Sequence, residues 1–321
     1  MDVQANPATP FAGDHTIASG AMTLLPRTWP SAMFGEEQLR ARREPVSVCL
    51  PALNEVETIG PIVARLARMQ EDRLIDEVIV VDGGSDDGTA DEARAAGADV
   101  YGWGDLQPDL GPLRGKGDSM WRGLRVTRGD LVCYLDADLR SFGEHYVYGL
   151  VGPLVVGSEV DFVKSTFARP LRLPDLPAGA VQGGRVTEAT ARPMLSLFYP
   201  PLAGFRQPLS GQIAARRGLL ESIPFSTGYA VDVGLLIDVY KRVGLGRMAQ
   251  IDLGELVTVH QDLDALAIMA RDVATAIVVR AERDGIVSGV NTKDYVRIVD
   301  GELLVSPAEI IDRPAIVVSA G

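Results

Sequence analysis

The chain has 321 residues, 46% of them hydrophobic, and carries a formal net charge of −12. This length and apolar content are enough for one large α/β domain with its own core. The acidic balance argues against a nucleic-acid-binding protein, because such proteins present basic stripes to phosphates.

Residues 1–44 are predicted to form an N-terminal arm. The side chains of Trp29, Phe34 and Leu39 are expected to pack part of this arm against the domain that follows. The beginning of the chain lacks the basic start and continuous apolar stretch of a secretory signal. No run of residues reaches the roughly 18 apolar residues of a membrane span. A cytoplasmic enzyme is therefore expected.

Residues 45–150 alternate between strand and helix patterns. The predicted strands are "PVSVCLPA", "DEVIVVDGGS", "DVYGW" and "DLVCYLDAD", and the helices between them are "TIGPIVARLARM", "SDDGTADEARAAGA" and "GKGDSMWRGLRVTRG". Cys49 and Cys133 lie inside the apolar runs, outside any C-x-x-C pair, and are expected to be buried free thiols. The alternation predicts a parallel sheet covered by helices on both faces.

Residues 151–285 are less regular and are predicted to complete the same domain as its acceptor-binding half. "VDFVKSTFARP" is expected to be a strand, and "LDALAIMARDVATAIVVRAERDG" a long helix. Residues 286–321 are predicted to form an extended tail that contacts a second subunit.

Polar side chains follow three of the predicted strands. They are Asn54-Glu55, Asp82-Gly83-Gly84-Ser85 and Asp136-Ala137-Asp138. Because ligands bind beyond the carboxyl ends of parallel strands, the three signatures together favour a site over three separate turns or caps. Two carboxylates spaced as Asp136 and Asp138 suit one hard cation such as Mg²⁺ or Mn²⁺.

The order and spacing of these motifs resemble a GT-A nucleotide-sugar glycosyltransferase. Within that group, the chain is similar to the glucosyl-3-phosphoglycerate synthases and the related actinobacterial mannosyl-3-phosphoglycerate synthases over about residues 45–265. The motifs that carry the resemblance are "PALNEVETI", "VVDGGSDDGT", "GKGDSMWRGL", "YLDADL", "VGPL", "FVKSTFARP", "GGRVTEATARP", "QPLSGQ", "PFSTGYAVDVGLLID" and "VTVHQD". The resemblance implies a mostly parallel, Rossmann-like sheet flanked by helices, with a C-terminal acceptor-binding part.

The resemblance also implies which residues hold the nucleotide sugar. They are Pro51, Ala52, Leu53, Glu55, Ser85, Lys116, Asp136 and Ala137. In "GKG", Gly115 and Gly117 are expected to allow close backbone approach beside Lys116. A solvated lysine on a flexible loop is the alternative for this motif.

A divalent metal, Mg²⁺ or Mn²⁺, is implied at Asp138 and His260. The acceptor, 3-phosphoglycerate, is implied at Gly184, Arg185, Val186, Thr187 and Tyr229. An arginine can grip a phosphate or carboxylate bidentately. His260 as a strand cap and Arg185 as a solvated surface residue are the alternatives from the residues alone.

The implied reaction is a retaining transfer of glucose from UDP-glucose or GDP-glucose to the 2-hydroxyl of 3-phosphoglycerate. Its catalytic residues are Lys116, Asp136, the backbone of Leu209, and Asp232. The sequence departs from the family pattern at Asp232, where glutamate is usual, and at Gln261, where arginine is frequent.

Four alternatives to glucosyl transfer stay open. They are mannosyl transfer from GDP-mannose, dual donor use, another GT-A transferase with a polyprenyl phosphate acceptor, and an inactive nucleotide-sugar binder. A homodimer is expected by resemblance.

Overall fold

A computed structural model describes residues 25–168, 184–256, 263–292, 294–299, 302–307 and 310–317. The strands of the main sheet are β1 (Arg27–Pro30), β2 (Val46–Ala52), β3 (Glu77–Asp82), β4 (Asp99–Tyr101), β5 (Leu131–Tyr134), β6 (Phe162–Ala168), β7 (Ile213–Arg216) and β9 (Met248–Glu255). The remaining strands are β8 (Phe225–Ser226), β10 (Asp294–Val299), β11 (Glu302–Pro307) and β12 (Asp312–Arg313).

Nine α-helices lie in this described part of the chain. They are α1 (Glu36–Arg40), α2 (Val56–Glu71), α3 (Thr89–Ala95), α4 (Gly115–Leu124), α5 (His145–Val156), α6 (Arg192–Phe198), α7 (Arg217–Glu221), α8 (Val231–Val243) and α9 (Leu263–Arg283). None of these helices is both long and apolar enough to cross a bilayer.

The eight main strands form one sheet in the order β1-β9-β6-β7-β5-β2-β3-β4. Strand β7 is antiparallel to both of its neighbours, and every other pair is parallel. The predicted mostly parallel α/β architecture is therefore confirmed. The first and second halves of the chain contribute to the same sheet, because β6, β7 and β9 continue it beyond β5.

Two apolar cores lie on opposite faces of the sheet. In β2, Val48 and Leu50 join one core and Cys49 joins the other, as the alternation of side chains along a strand requires. The first core is covered by α1, α2, α3 and α5, and the second by α4, α6, α8 and α9. Cys49 and Cys133 are free and buried, as expected. Burial raises the pKa of both thiols.

The chain ends differ from the sequence-based prediction. In the described part of the expected N-terminal arm, β1 pairs in parallel with β9 as the edge of the main sheet. Leu39 is fully buried and Trp29 and Phe34 pack against the same core, as the prediction for these three residues required. The prediction missed this strand because Arg27–Pro30 is too short and too polar to show a buried-strand pattern.

Part of the predicted tail also packs on its own chain. Strand β12 pairs with β8, the guanidinium of Arg313 donates to both carboxylate oxygens of buried Asp118 at 2.7 and 3.0 Å, and the indole of Trp121 donates to the carbonyl of Pro314 at 2.8 Å. These contacts tie residues 310–317 to α4. A contact between this tail and a second subunit stays a prediction.

Candidate active site

The first two strand-end signatures meet at one edge of the sheet. Ala52 and Asp82 are register partners at the ends of β2 and β3, and the amide of Gly83 donates to the carbonyl of Ala52 at 2.7 Å. Beyond the strands, the amide of Asn54 donates to the hydroxyl oxygen of Ser85 at 2.8 Å. The parallel pairing therefore brings Leu53, Glu55 and Ser85 to the same loop cluster.

The third signature joins this cluster from β5, which pairs in parallel with β2. Burial, and then the nearby Asp138 carboxylate, raises the pKa of Glu55. Asp138 is exposed, Asp136 is half-buried, and Ala137 between them is buried. The D-x-D segment thus presents one carboxylate to solvent and directs the other toward the interior.

Lys116 stands at the start of α4, held there by two glycines. Gly115 has a φ of 71°, and a Cβ atom added to it would lie 3.0 Å from Cα of Gly228. A Cβ on Gly117 would overlap the carbonyl oxygen of Ser226. The predicted close approach at this motif is therefore made by the protein's own segment 226–228.

Lys116 binds two carboxylates from opposite halves of the chain. Its Nζ lies 2.7 Å from Oδ1 of Asp136 and 3.2 Å from Oδ1 of Asp232, which lies in the first turn of α8. Burial by itself would lower the pKa of Lys116, but the Asp136 and Asp232 carboxylates outweigh it and hold the pKa above its ordinary value. Lys116 is therefore a fixed positive charge beside the strand end.

Two further side chains complete this cluster. The amide of Gln212 donates to Oδ2 of Asp136 at 2.6 Å. Lys164 lies behind Asp232 and donates to its main-chain carbonyl at 3.2 Å. We call these side chains the ionic network: Lys116, Asp136, Lys164, Gln212 and Asp232.

The turn before Gln212 fits tightly against the network. Leu209 is half-buried in this turn, and the carbonyl of Ser210, the next residue, accepts a hydrogen bond from Lys164 at 2.7 Å. A Cβ on Gly211 would overlap both Nζ of Lys116 and the carboxylate of Asp136. Only glycine fits at this position while the Lys116–Asp136 ion pair is kept.

The predicted acceptor residues lie in two places. Residues 184–187 are at the start of the helical segment that leads into α6, and Tyr229 lies just before α8. The chain is helical from Arg185, and residues Thr187–Ala191 form a π-helical turn that leads into α6. Arg185 is exposed, whereas Val186 and Thr187 are buried, and Gly184 is half-buried. Tyr229 is 49% exposed and lies in the turn before α8, three residues from Asp232.

The second predicted metal ligand, His260, and the unusual residue Gln261 lie outside the described residues. Within the described ranges, no cluster of three histidine, cysteine or acidic side chains surrounds a common point. Asp138 nevertheless offers exposed carboxylate oxygens near Glu55, and such oxygen donors suit Mg²⁺ or Mn²⁺. The donor chemistry therefore fits a divalent cation.

The sequence analysis included Lys164 and Gln212 only as members of the motifs "FVKSTFARP" and "QPLSGQ", and it predicted no individual role for either side chain. The signal for Lys164 was a lysine inside "DFVKSTF", where the neighbouring residues indicate a buried strand. A buried lysine needs compensating partners and is often functional.

The chain is similar to known proteins along most of its length. Residues 47–164 match the model of glycosyl transferase family 2. The glucosyl-3-phosphoglycerate synthase of Mycobacterium tuberculosis (strain ATCC 25618 / H37Rv) is 39% identical over 309 residues, which are 92% of this chain and 93% of that protein. The synthase of the same name from Petrotoga mobilis is 39% identical over 244 residues, 75% of this chain and 74% of that protein.

Two solved structures are similar along most of the chain. The mannosyl-3-phosphoglycerate synthase from Rubrobacter xylanophilus has a TM-score of 0.83 and 41% identity, with 90% of this chain and 96% of that chain covered. The M. tuberculosis glucosyl-3-phosphoglycerate synthase in complex with Mn²⁺, UDP-glucose and phosphoglyceric acid has a TM-score of 0.77 and 36% identity, with 91% and 98% covered.

Proposed function

The chain belongs to the glucosyl-3-phosphoglycerate synthase family of GT-A hexosyltransferases, and from this premise we propose that it transfers glucose from a nucleotide sugar to the 2-hydroxyl of 3-phosphoglycerate. The product is glucosyl-3-phosphoglycerate. The observation that carries the proposal is the Lys116–Asp136–Asp232 cluster at the carboxyl ends of the sheet. It lies where doubly wound sheets bind their ligands.

The nucleotide part of the donor binds across the ends of β2 and β3. Its base and ribose contact Pro51, Ala52, Leu53 and Glu55 at the end of β2, and Ser85 contacts the nucleotide from the end of β3. Leu53 is 55% exposed although it directly follows a buried strand, and an exposed leucine at this edge offers an apolar surface to a base. Asp136 and Ala137 approach the donor from β5.

A divalent metal is held by Asp138, with His260 as the second protein ligand. When bound, the metal neutralises the charge that develops on the leaving diphosphate. The relative from M. tuberculosis was solved with Mn²⁺ and with Mg²⁺ in the presence of UDP. Lys116 supplies a second, permanent positive charge to the same leaving group.

The acceptor binds between the segment 184–187 and Tyr229. The exposed guanidinium of Arg185 pairs with the phosphate or the carboxylate of 3-phosphoglycerate, since both groups accept two parallel hydrogen bonds. Backbone amides at the helix start and the hydroxyl of Thr187 donate to the phosphate. Tyr229 donates its hydroxyl to the acceptor, since a phenol is protonated at neutral pH and this side chain is 49% exposed beside the start of α8.

Transfer occurs on the face that the diphosphate leaves. The bond between C1 of the glucose and the diphosphate oxygen breaks, and a bond between C1 and the acceptor 2-oxygen forms on the same side. The proton of the 2-hydroxyl passes to the departing diphosphate oxygen. The carbonyl of Leu209 and the carboxylate of Asp232 orient the sugar, and Asp232 is steadied by Lys116.

A transfer assay tests the proposal. We expect purified protein to convert 3-phosphoglycerate and UDP-glucose or GDP-glucose to glucosyl-3-phosphoglycerate only when Mg²⁺ or Mn²⁺ is present. Lack of transfer from every glucose nucleotide in a UDP and GDP panel would contradict it. Binding of the nucleotide sugar without turnover, in the wild-type protein, would instead identify an inactive binder.

Mannosyl transfer from GDP-mannose is the second candidate. It is favoured by the likeness to the R. xylanophilus mannosyl enzyme, at 41% identity and a TM-score of 0.83. The two candidates share every contact to the acceptor and the diphosphate. They differ only in the base and sugar pockets, so the ratio of kcat/KM for the two donors in the same panel decides between them.

A further inference from the structure

Lys164 is a charged residue inside the protein. It lies in the middle of β6 with 1% of its surface exposed. An ammonium group in such surroundings is costly unless polar groups compensate. Burial lowers the pKa of Lys164 to about 8, although the nearby Asp232 acts in the opposite direction. An apolar residue at this position of β6 would avoid the desolvation cost of a buried ammonium group. We therefore expect its contacts to give Lys164 a specific role.

Its ammonium group bridges two main-chain carbonyls. Nζ donates to the carbonyl of Ser210 at 2.7 Å and to the carbonyl of Asp232 at 3.2 Å. Ser210 follows Leu209 in the turn against the ionic network, and Asp232 lies in the first turn of α8. One side chain therefore joins the β6 strand, the 208–211 turn and the start of α8.

The next residue in β6 supports the same turn. The hydroxyl of Ser165 is hydrogen-bonded to the hydroxyl of Ser210 and donates to Oε1 of Gln212 at 3.0 Å. Gln212 in turn holds Asp136. The Lys164–Ser165 pair thus contacts the first turn of α8, which carries Asp232, and the turn whose Gln212 side chain holds Asp136.

We propose that Lys164 is a positioning residue for hexosyl transfer, which acts by fixing the Leu209 turn against the first turn of α8. The inference rests on the proposed function, because it supposes that the Leu209 carbonyl and the Asp232 carboxylate orient the sugar. Lys164 itself does not contact the substrate. A shift of about 1 Å in groups that orient a reacting sugar is enough to cost about 10²-fold in rate.

The test compares Lys164→Met with Arg216→Met. Methionine keeps the volume of the lysine stem and removes both hydrogen bonds. Arg216 lies in β7, at the opposite end of the strand from Ile213, which is the register partner of Lys164. The guanidinium of Arg216 binds the carboxylate of Glu44 and the carbonyl of Leu154. The Arg216→Met substitution therefore removes a partly buried cation from the same sheet but away from the site.

Two measurements are made on each variant. Hydrogen–deuterium exchange is followed in the peptides that contain residues 207–213 and 229–236. The kcat and both KM values are measured with the best nucleotide sugar and 3-phosphoglycerate. For Lys164→Met we expect faster exchange in both peptides and a fall in kcat of at least about 10-fold, with the donor KM within about 2-fold of wild type.

The Arg216→Met variant should leave both peptides and kcat unchanged. Lys164→Gln, which keeps one amide donor without a buried charge, should be intermediate, and it replaces Lys164→Met if that variant does not fold. Unchanged exchange in either peptide, or a kcat within about 2-fold of wild type, overturns the inference. If wild-type protein transfers no hexose, the proposed function fails, and the exchange result still decides whether Lys164 holds the two segments.

Discussion

The inner and outer parts of the site differ in how completely the protein itself arranges them. The ionic network is buried or half-buried, and Lys116, Asp136 and Asp232 are paired with one another at 2.7 to 3.2 Å. The outer rim of the site, which we define as Leu53, Asp138, Arg185 and Tyr229, consists of exposed side chains.

This difference indicates that the ionic network and the outer rim have different functions. Groups that must hold their geometry during the reaction are fixed by the fold before a ligand arrives, as electrostatic preorganisation requires. Groups that capture the metal, the base and the acceptor stay open to solvent. Substitutions in the network should therefore change kcat and stability together, whereas substitutions in the rim should change activity or KM and leave stability alone.

The largest effect on activity is expected at the rim, for Asp138→Ala. Loss of the exposed metal-binding carboxylate should reduce metal-dependent transfer about 10³-fold, because the leaving diphosphate loses its neutralising cation. The unfolding midpoint in urea should not change. Asp130→Ala, which removes an exposed carboxylate just before the opposite end of β5, is the control and should keep full activity. Equal loss in both variants would contradict the metal role of Asp138.

A large effect on stability is expected in the network, at Lys164. Its folded-state pKa of about 8 lies below the unfolded value of 10.5. Between these values the unfolded chain binds more protons, so stability rises with pH, and below the folded pKa the protein bears the full cost of the buried charge.

The pH dependence can be isolated by comparison with Lys164→Met. The stability of wild type relative to this variant should increase by about 3 kcal/mol between about pH 7 and about pH 10, measured by urea unfolding. The charged groups that face Lys164 are Asp232, Lys116 and Asp136. If the difference in the free energy of unfolding between wild type and Lys164→Met does not change over this pH range, Lys164 keeps its ordinary pKa despite its burial.

An intermediate effect is expected for Gly211→Ala. The added methyl group would displace Lys116 or Asp136, so kcat should fall about 10- to 100-fold. Gly218→Ala is the matched control, because a Cβ there meets no atom within 4 Å and the residue lies exposed in α7. This control should be fully active. Normal activity in Gly211→Ala would show that the ion pair is not needed in its observed form.

The smallest effect is expected for Tyr229→Phe at the rim. Loss of one hydrogen bond to the acceptor should raise the KM for 3-phosphoglycerate about 3- to 10-fold, with stability unchanged since the side chain is half-exposed. The measurement is acceptor saturation at a fixed, saturating donor concentration. A change in the donor KM alone would reassign Tyr229 to the nucleotide-sugar side.

Much of the donor half could be predicted from the sequence because its signals are local. The buried strands β2, β3 and β5 are marked by apolar runs, and each is followed by polar residues at the edge where parallel strands meet. The presence of Lys116 between two glycines also appears in the sequence. What the glycines approach does not, since Ser226 and Gly228 are more than 100 residues further along the chain.

The sequence by itself determined the α/β class, the alternation of strands and helices, and the strand-end positions of Asp136 and Asp138, because periodicity and turn chemistry act over a few residues. Only the tertiary structure decided that Asp136 turns inward to Lys116 and Gln212 while Asp138 stays exposed. It also decided that β1 extends the sheet and that Lys164 supports the site from behind. These outcomes depend on pairing between segments far apart in the chain, and nothing in a local pattern specifies which distant carbonyl or carboxylate a buried lysine will meet.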